Sequence, residues 1–71
     1  MMRTSARNRL PGTVTEIKLG VVMAQIGIRV GDNQIDAVIT RDSAQEMDLK
    51  VGDRVFAVVK STEVMVNKED S

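Results

Sequence analysis

Neither cysteine nor histidine occurs among the 71 residues, and tryptophan and tyrosine are absent as well. Without cysteine the chain forms no disulfide, and without either residue a metal site would have to use oxygen ligands, which suit hard cations. The same two absences remove the commonest general base and the strongest side-chain nucleophile of enzymes. We therefore expect a protein that is not an enzyme and that binds no metal cation.

Aromatic residues and net charge are equally scarce. Phe56 is the one aromatic side chain, and ten basic residues balance ten acidic ones. Nucleic acid is usually held by aromatic stacking on a basic groove, so this composition argues against nucleic acid and against a membrane surface as partners. No stretch approaches the roughly 20 apolar residues of a membrane span, and the opening residues lack a signal-like apolar run, so we expect a cytoplasmic protein.

The chain is long enough for one domain, and we interpret residues 1–71 as a single unit with a polar segment at 1–9 and a solvated tail at 67–71. A domain of this size buries only about 60% of the surface that its unfolded chain exposes, so its own core is marginal. Disulfides, a structural metal or self-association usually compensate, and disulfides are excluded here. We therefore expect a homo-oligomer.

Alternating apolar residues predict strands over most of the chain. Every second residue is apolar in 22–30 and in 35–39, and the sequence "GDN" at 31–33 is typical of a hairpin turn. Two further β-rich runs follow at 54–60 and 62–66. These four runs predict four strands.

A further strand is predicted upstream, over 12–20. This stretch is β-branched and bounded by two glycines, but Val14 and Ile17 are out of period-two phase. A bulge between them would bring both onto one face. The predicted number of strands is therefore five.

Residues 40–52 break the pattern of strands. Thr40, Asp42 and Ser43 are possible N-caps, and Glu46 follows Ser43 by three residues, as in a capping box. A short helix ending near Gly52 would then turn three apolar residues to the core: Ala44, Met47 and Leu49. Three strands, a helix and two strands is the order of the OB-fold, a five-stranded, partly open barrel. An SH3-like barrel is the competing interpretation.

Three short stretches carry the donors that a tetrahedral oxyanion accepts: guanidinium, ammonium, hydroxyl and backbone N–H. Arg7 lies between Ser5 and Asn8, and Lys60 is followed by Ser61. The predicted helix start adds the hydroxyls of Thr40 and Ser43. Each stretch taken alone also fits a cap, a strand end or a solvated terminus, so their co-occurrence is what points to an anion.

Four segments carry a pattern that extends over most of the chain: "TSARNRLPGTV" (4–14), "GVVMAQIGIRV" (20–30), "ITRDSAQEMDLKVGDRV" (39–55) and "AVVKSTEVMV" (57–66). In their order and spacing they resemble the molbindins, which are small cytoplasmic molybdate-binding proteins made of the Mop-type OB domain of the TOBE family. The resemblance extends from Met2 to about Val66. "SARN" together with "KST" is its most specific part.

The resemblance implies a homohexamer, built as a trimer of dimers, that binds molybdate or tungstate between subunits, with no catalysis and no organic cofactor. It also implies that the N-terminal segment reaches a neighbouring subunit. Ser5, Ala6 and Arg7 of one subunit would face residues of another: Thr40, Ser43, Ala44, Lys60 and Ser61. A second class of site, near a threefold axis, would involve Gly20, Val21 and Val22.

Our interpretation is therefore that the chain binds and stores or buffers molybdate or tungstate. Two other classes of function stay open from the sequence: an OB-fold module that binds nucleic acid, and an anion-responsive interaction or sensor subunit. A site without Asp or Glu disfavours phosphate, which often retains a proton near neutral pH, whereas molybdate only accepts hydrogen bonds. Sulfate is also a pure acceptor, so its exclusion would depend on cavity size.

Overall fold

The fold is an open antiparallel sheet with one short helix. The structure, a computed structural model, describes residues 5–69. Its elements are β1 (Asn8–Leu19), β2 (Met23–Val30), β3 (Asn33–Thr40), α1 (Arg41–Glu46), β4 (Arg54–Val59) and a 3-10 helix (Ser61–Glu63). The strand order is β3-β2-β1-β4, and all neighbouring strands are antiparallel. The predictions of a mainly β protein and of a helix between the third and fourth strands are confirmed.

β1 is twelve residues long and pairs with two strands in turn. Its first half pairs with β4, starting with Asn8 opposite Val59, and its second half pairs with β2 as far as Leu19. Thr13, between the halves, has a partner on both sides. β1 therefore begins inside the predicted polar segment 1–9, because backbone pairing with β4 already includes Asn8 and Arg9.

β1 bends where it changes partner. A Cβ atom on Gly12 would lie 2.6 Å from the carbonyl oxygen of Arg29 and 2.7 Å from Cγ2 of Ile28, so glycine permits this close approach of β1 and β2. The register then shifts between Val14 and Glu16, which confirms the predicted bulge. Bulges bend a strand and increase its twist, so this strand curls the sheet around its core.

α1 is shorter than the predicted helix. Thr40 is its N-cap and Ser43 lies inside it, so the predicted capping box that begins at Ser43 is wrong. Ala44 is buried against the sheet, as expected, with 4% of its surface exposed. Met47 is the C-cap and is 57% exposed, so the prediction that it faces the core is wrong. Met47 still has helical dihedral angles, and the chain leaves the helical conformation at Asp48, where φ is 52°.

The predicted fifth strand does not form in this single chain. Residues 61–63 form the 3-10 helix, and residues 64–69 belong to no sheet. The side chains of Met65 and Val66 are each 93% exposed. Strand propensity depends on packing and backbone partners, and this segment forms no strand pairing with either free edge of the sheet. The closed five-stranded barrel is therefore not formed within residues 5–69.

An apolar groove lies between the two free edges, β3 and β4. Its volume is about 390 Å³. Most of the buried core opens into it, and its lining includes Val14, Ile26, Ile28, Ile35, Val55 and Ala57. The small aliphatic core predicted from the composition is thus covered on one side by the sheet and by Ala44, while the groove leaves its other side open.

Candidate functional site

One end of the sheet carries two cationic side chains. Asn8 and Val59 form the last residue pair of β1 and β4, and Nδ2 of Asn8 donates a hydrogen bond of 3.1 Å to the carbonyl oxygen of Val59. Arg7 directly precedes this pair and Lys60 directly follows it, so both leave the sheet at the same end. Both side chains are exposed.

Neither cation has a carboxylate partner in the part of the chain that the structure describes. The ion pairs there are Lys18–Glu16 at 3.7 Å and Lys50–Asp48 at 3.4 Å. Because Asn8 lies opposite Val59, the two cations leave the sheet from neighbouring positions. An anion bound between them would be attracted by both charges.

Two serines lie beside these cations. Ser5 and Ser61 are exposed, and Ala6, next to Arg7, is half-buried. Ser61 begins the 3-10 helix and also lines an open depression with Asn8, Leu10, Val59 and Val64. One chain therefore gathers five of the predicted site residues at one end of the sheet. We call residues 5–7 together with Lys60 and Ser61 the cationic end.

The start of α1 holds the second group of predicted residues. The hydroxyl of Thr40 donates to Oγ of Ser43 at 2.7 Å, and Oγ1 of Thr40 accepts the backbone N–H of Ser43 at 3.1 Å. Because the hydrogen of the Thr40 hydroxyl is used in this way, the hydroxyl hydrogen of Ser43 is left for another acceptor. Ala44 packs into the core directly behind them. Ser43 is thus a donor held at a fixed position.

β1 separates the cationic end from the helix start. Thr40 lies opposite Met23, and Leu19 lies opposite Ala24, so α1 begins near the last residues of β1, whereas Asn8 is its first. A straight strand of twelve residues would span roughly 36 Å at about 3.3 Å per residue, and the bend in β1 makes the separation shorter than this. A single copy of the chain therefore keeps these two groups of donors apart.

The third group, Gly20–Val22, forms the turn between β1 and β2 beside the helix start. Gly20 N–H donates to the carbonyl oxygen of Met23 at 2.7 Å. Arg41 bonds the turn twice, from its backbone N–H to the Val22 oxygen at 2.8 Å and from Nη1 to the Gly20 oxygen at 3.0 Å. Val21 is 92% exposed and Val22 is 68% exposed. Because β2 begins at Met23, Val22 lies outside the strand that its apolar alternation predicts.

Sequence reasoning missed two residues that shape these groups. Asn8 ties the strand ends at the cationic end, and Arg41 ties the turn to α1. Asn8 in "RN" and Arg41 in "TR" stand beside predicted site residues, but residue order does not tell which group a side chain contacts. Among the helices of the described chain, none has the length and apolar character that crossing a membrane requires.

The chain is similar in sequence to proteins named for molybdenum. It is 46% identical to molybdenum-pterin-binding protein 2 of Clostridium pasteurianum over 66 residues, which cover 92% of this chain and 97% of that protein. It is also 46% identical to the molybdenum transport protein ModE of Azotobacter vinelandii over 71 residues. That match covers 99% of this chain but only 26% of ModE, so the chain spans about a quarter of this longer relative.

Solved structures of related proteins have the same fold. A molybdate-binding protein from Sporomusa ovata superposes with a TM-score of 0.90 at 46% identity, covering 94% of this chain and 100% of that one. The cytoplasmic molybdate-binding protein ModG with molybdate bound superposes with a TM-score of 0.78 at 36% identity, covering 84% and 43%. The TOBE domain model matches residues 4–66. The chain therefore belongs to the TOBE-domain family, as a Mop-type molbindin.

Proposed function

We propose that this protein binds and stores molybdate, or tungstate, without catalysing a reaction. The observation that carries the proposal is the cationic end, where Arg7 and Lys60 leave the sheet together without a carboxylate partner in residues 5–69. The names of the relatives, which refer to molybdate or molybdenum, support the choice of oxyanion. An anion bound there could accept charge-assisted hydrogen bonds from both cations.

The chemistry of the donors favours an oxyanion without protons. The proposed site contains guanidinium, ammonium, hydroxyl and backbone N–H groups, and none of the residues assigned to it is acidic. Molybdate and tungstate accept hydrogen bonds only, so each of their oxygens suits such donors. Phosphate near neutral pH often carries a proton, which would lack an acceptor at a cost of about 1–3 kcal/mol. We therefore expect phosphate to bind more weakly than molybdate.

We infer that the complete site is shared between subunits. The separation of the cationic end from the helix start along β1 supports this inference, because one copy holds them at opposite ends of a twelve-residue strand. The donors of two copies could meet where those of one cannot. The residues that we assign to the shared site are Ser5, Ala6, Arg7, Thr40, Ser43, Ala44, Lys60 and Ser61. Gly20, Val21 and Val22 are our candidates for a second class of site.

We further infer that a second copy supplies the missing fifth strand. Residues 64–69 belong to no sheet. Val64 is 52% exposed and Val66 is 93% exposed. The free edges β3 and β4 and the apolar groove of about 390 Å³ between them fit such an extended segment. Reciprocal exchange would bury both segments, and each large apolar side chain contributes about 1.5–3 kcal/mol when fully buried. Three such dimers would give the hexamer that the resemblance implies.

We assign the protein to the cytoplasm, in line with the description of the related ModG as cytoplasmic. We also propose that it carries no organic cofactor, since the donor groups named above suffice to hold a bare oxyanion. Molybdate is then the cargo of the protein, held for release to the reactions that need molybdenum.

Isothermal titration calorimetry of the whole chain with molybdate, tungstate, sulfate and phosphate tests this function. We expect heat from molybdate and tungstate at micromolar concentrations, with phosphate much weaker. The stoichiometry, together with the mass of the oligomer, gives the number of sites per subunit. If molybdate produces no binding heat at these concentrations, the proposed function is wrong.

A further inference from the structure

The last residue pair of β1 and β4 is held by a side chain in addition to strand pairing. Nδ2 of Asn8 donates a hydrogen bond of 3.1 Å to the carbonyl oxygen of Val59, which joins residues 51 positions apart in the chain. Both residues are half-buried, and the pairing of the two strands stops with them. Strand ends open more easily than strand centres, so this bond acts where the sheet would otherwise fray.

This hydrogen bond lies directly beside the cationic end. Arg7 precedes Asn8 and Lys60 follows Val59, so the distance between the backbones of the two cations depends on whether the last pair stays closed. Asn8 also lines the open depression to which Ser61 belongs. Asn8 is therefore placed to control how far apart Arg7 and Lys60 leave the sheet.

We propose that Asn8 is a positioning residue that holds Arg7 and Lys60 at one spacing and thereby makes the site selective for molybdate over sulfate. The proposal rests on the proposed function. Sulfate has the same charge as molybdate and also accepts hydrogen bonds only, so the two anions differ for this site in size, and sulfate is the smaller. Donors held at fixed positions fit one size of anion, whereas donors on open strand ends can approach a smaller one.

A leucine in place of Asn8 tests the hydrogen bond with little change of shape. The depression beside Asn8 is lined largely by apolar side chains, so the new side chain of Asn8→Leu fits there, and we expect a folded circular dichroism spectrum. Calorimetric titration of the whole chain should give about five- to tenfold weaker molybdate binding, because one hydrogen bond is lost. Sulfate, measured through its competition with molybdate, should bind as tightly as before or more tightly. The ratio of the two affinities should therefore fall.

Two further variants separate positioning from a general loss of stability. Asn8→Gln keeps an amide donor, so it should retain more of the selectivity than Asn8→Leu. Gln34→Leu removes a comparable bond outside the assigned site, where Nε2 of Gln34 donates to Oγ1 of Thr15 at 2.8 Å between β3 and β1. This control should bind both anions as the wild type does. If Asn8→Leu does not fold, Asn8→Ala takes its place, with the same fall in the ratio expected.

The outcomes of these measurements are distinct. The positioning role is overturned if Asn8→Leu binds molybdate as the wild type does, or if its affinities for molybdate and sulfate fall in the same proportion. It is also overturned if the wild type does not distinguish the two anions, or if sulfate competes with molybdate in neither protein. Each of these results leaves the proposed function intact, whereas a wild type that gives no molybdate binding heat overturns both proposals.

Discussion

Nδ2 of Asn8 lies 3.1 Å from the carbonyl oxygen of Val59, and this hydrogen bond joins β1 and β4 at their last shared residue pair. The chain leaves the sheet immediately beyond it on both strands, with Arg7 on one side and Lys60 on the other. The pairing of β1 with β4 therefore brings Arg7 and Lys60 to the same end of the sheet. The role of the cationic end can therefore be tested by replacing its residues one at a time.

Replacing Arg7 by alanine should weaken molybdate binding while leaving the sheet folded. Arg7 is exposed and precedes the first paired residue, so its side chain adds little to the core. A charge-assisted hydrogen bond contributes about 1.5–3 kcal/mol, which corresponds to roughly ten- to hundredfold in affinity. Calorimetric titration measures the change, with Arg29→Ala as the control. An unfolded circular dichroism spectrum for Arg7→Ala would instead assign Arg7 a structural role.

The two hydroxyls at the helix start should have separable effects. Thr40→Ala removes the N-cap acceptor of the Ser43 N–H, so we expect a loss of about 1 kcal/mol in the free energy of unfolding. Ser43→Ala keeps that cap but removes both the free hydroxyl donor and the acceptor of the exposed Thr40 hydroxyl, which water can replace, so stability should fall less than in Thr40→Ala while molybdate affinity falls. Urea denaturation and calorimetric titration of both variants test this. Equal affinities for Ser43→Ala and the wild type would remove Ser43 from the site.

A charge in the C-terminal segment should disrupt assembly. Val64→Asp or Val66→Asp would place a carboxylate in the apolar groove of a second copy, where burial of an unpaired charge is strongly unfavourable. We expect the mass measured by light scattering to fall toward that of a smaller species. Asn67→Asp adds the same charge nearby at an exposed position and serves as the matched control. Unchanged mass in both valine variants would show that the segment lies outside the interface.

Gly12→Ala should destabilise the fold without acting on the site. Its Cβ would lie 2.6 Å from the carbonyl oxygen of Arg29, so β1 and β2 would have to move apart where β1 bends. We expect a loss of about 1–3 kcal/mol in the free energy of unfolding, measured by urea denaturation. Gly31→Asn is the control, since φ at Gly31 is 59°, no atom would lie within 4 Å of the new Cβ, and asparagine tolerates this conformation. Equal losses in both variants would contradict the steric argument.

Most of the fold was predictable because its signals are local. Alternation in β2 and β3, the turn at Gly31 and the out-of-phase pair Val14 and Ile17 are each contained within a few residues, and the observed hairpin and bulge agree with them. The helix was predictable in place but not in extent, because several residues of 40–43 are suitable caps and only backbone geometry selects Thr40. Met47 was misassigned because the helix ends just before it, and as the C-cap it is exposed.

By itself, the sequence determined the kinds of chemistry available and the family. Without cysteine and histidine, and with donors in "SARN", "ITRDS" and "KST", it favoured an oxyanion ligand, and the match over residues 4–66 agrees with that family. Tertiary structure decided which donors lie together: strand pairing joins Arg7 to Lys60 at one end, and β1 keeps Thr40 and Ser43 at the other. It also decided that residues 62–66 form no strand here, because this segment pairs with neither free edge of its own sheet. Contacts between distant residues depend on strand register and side-chain direction, neither of which is written in local residue order.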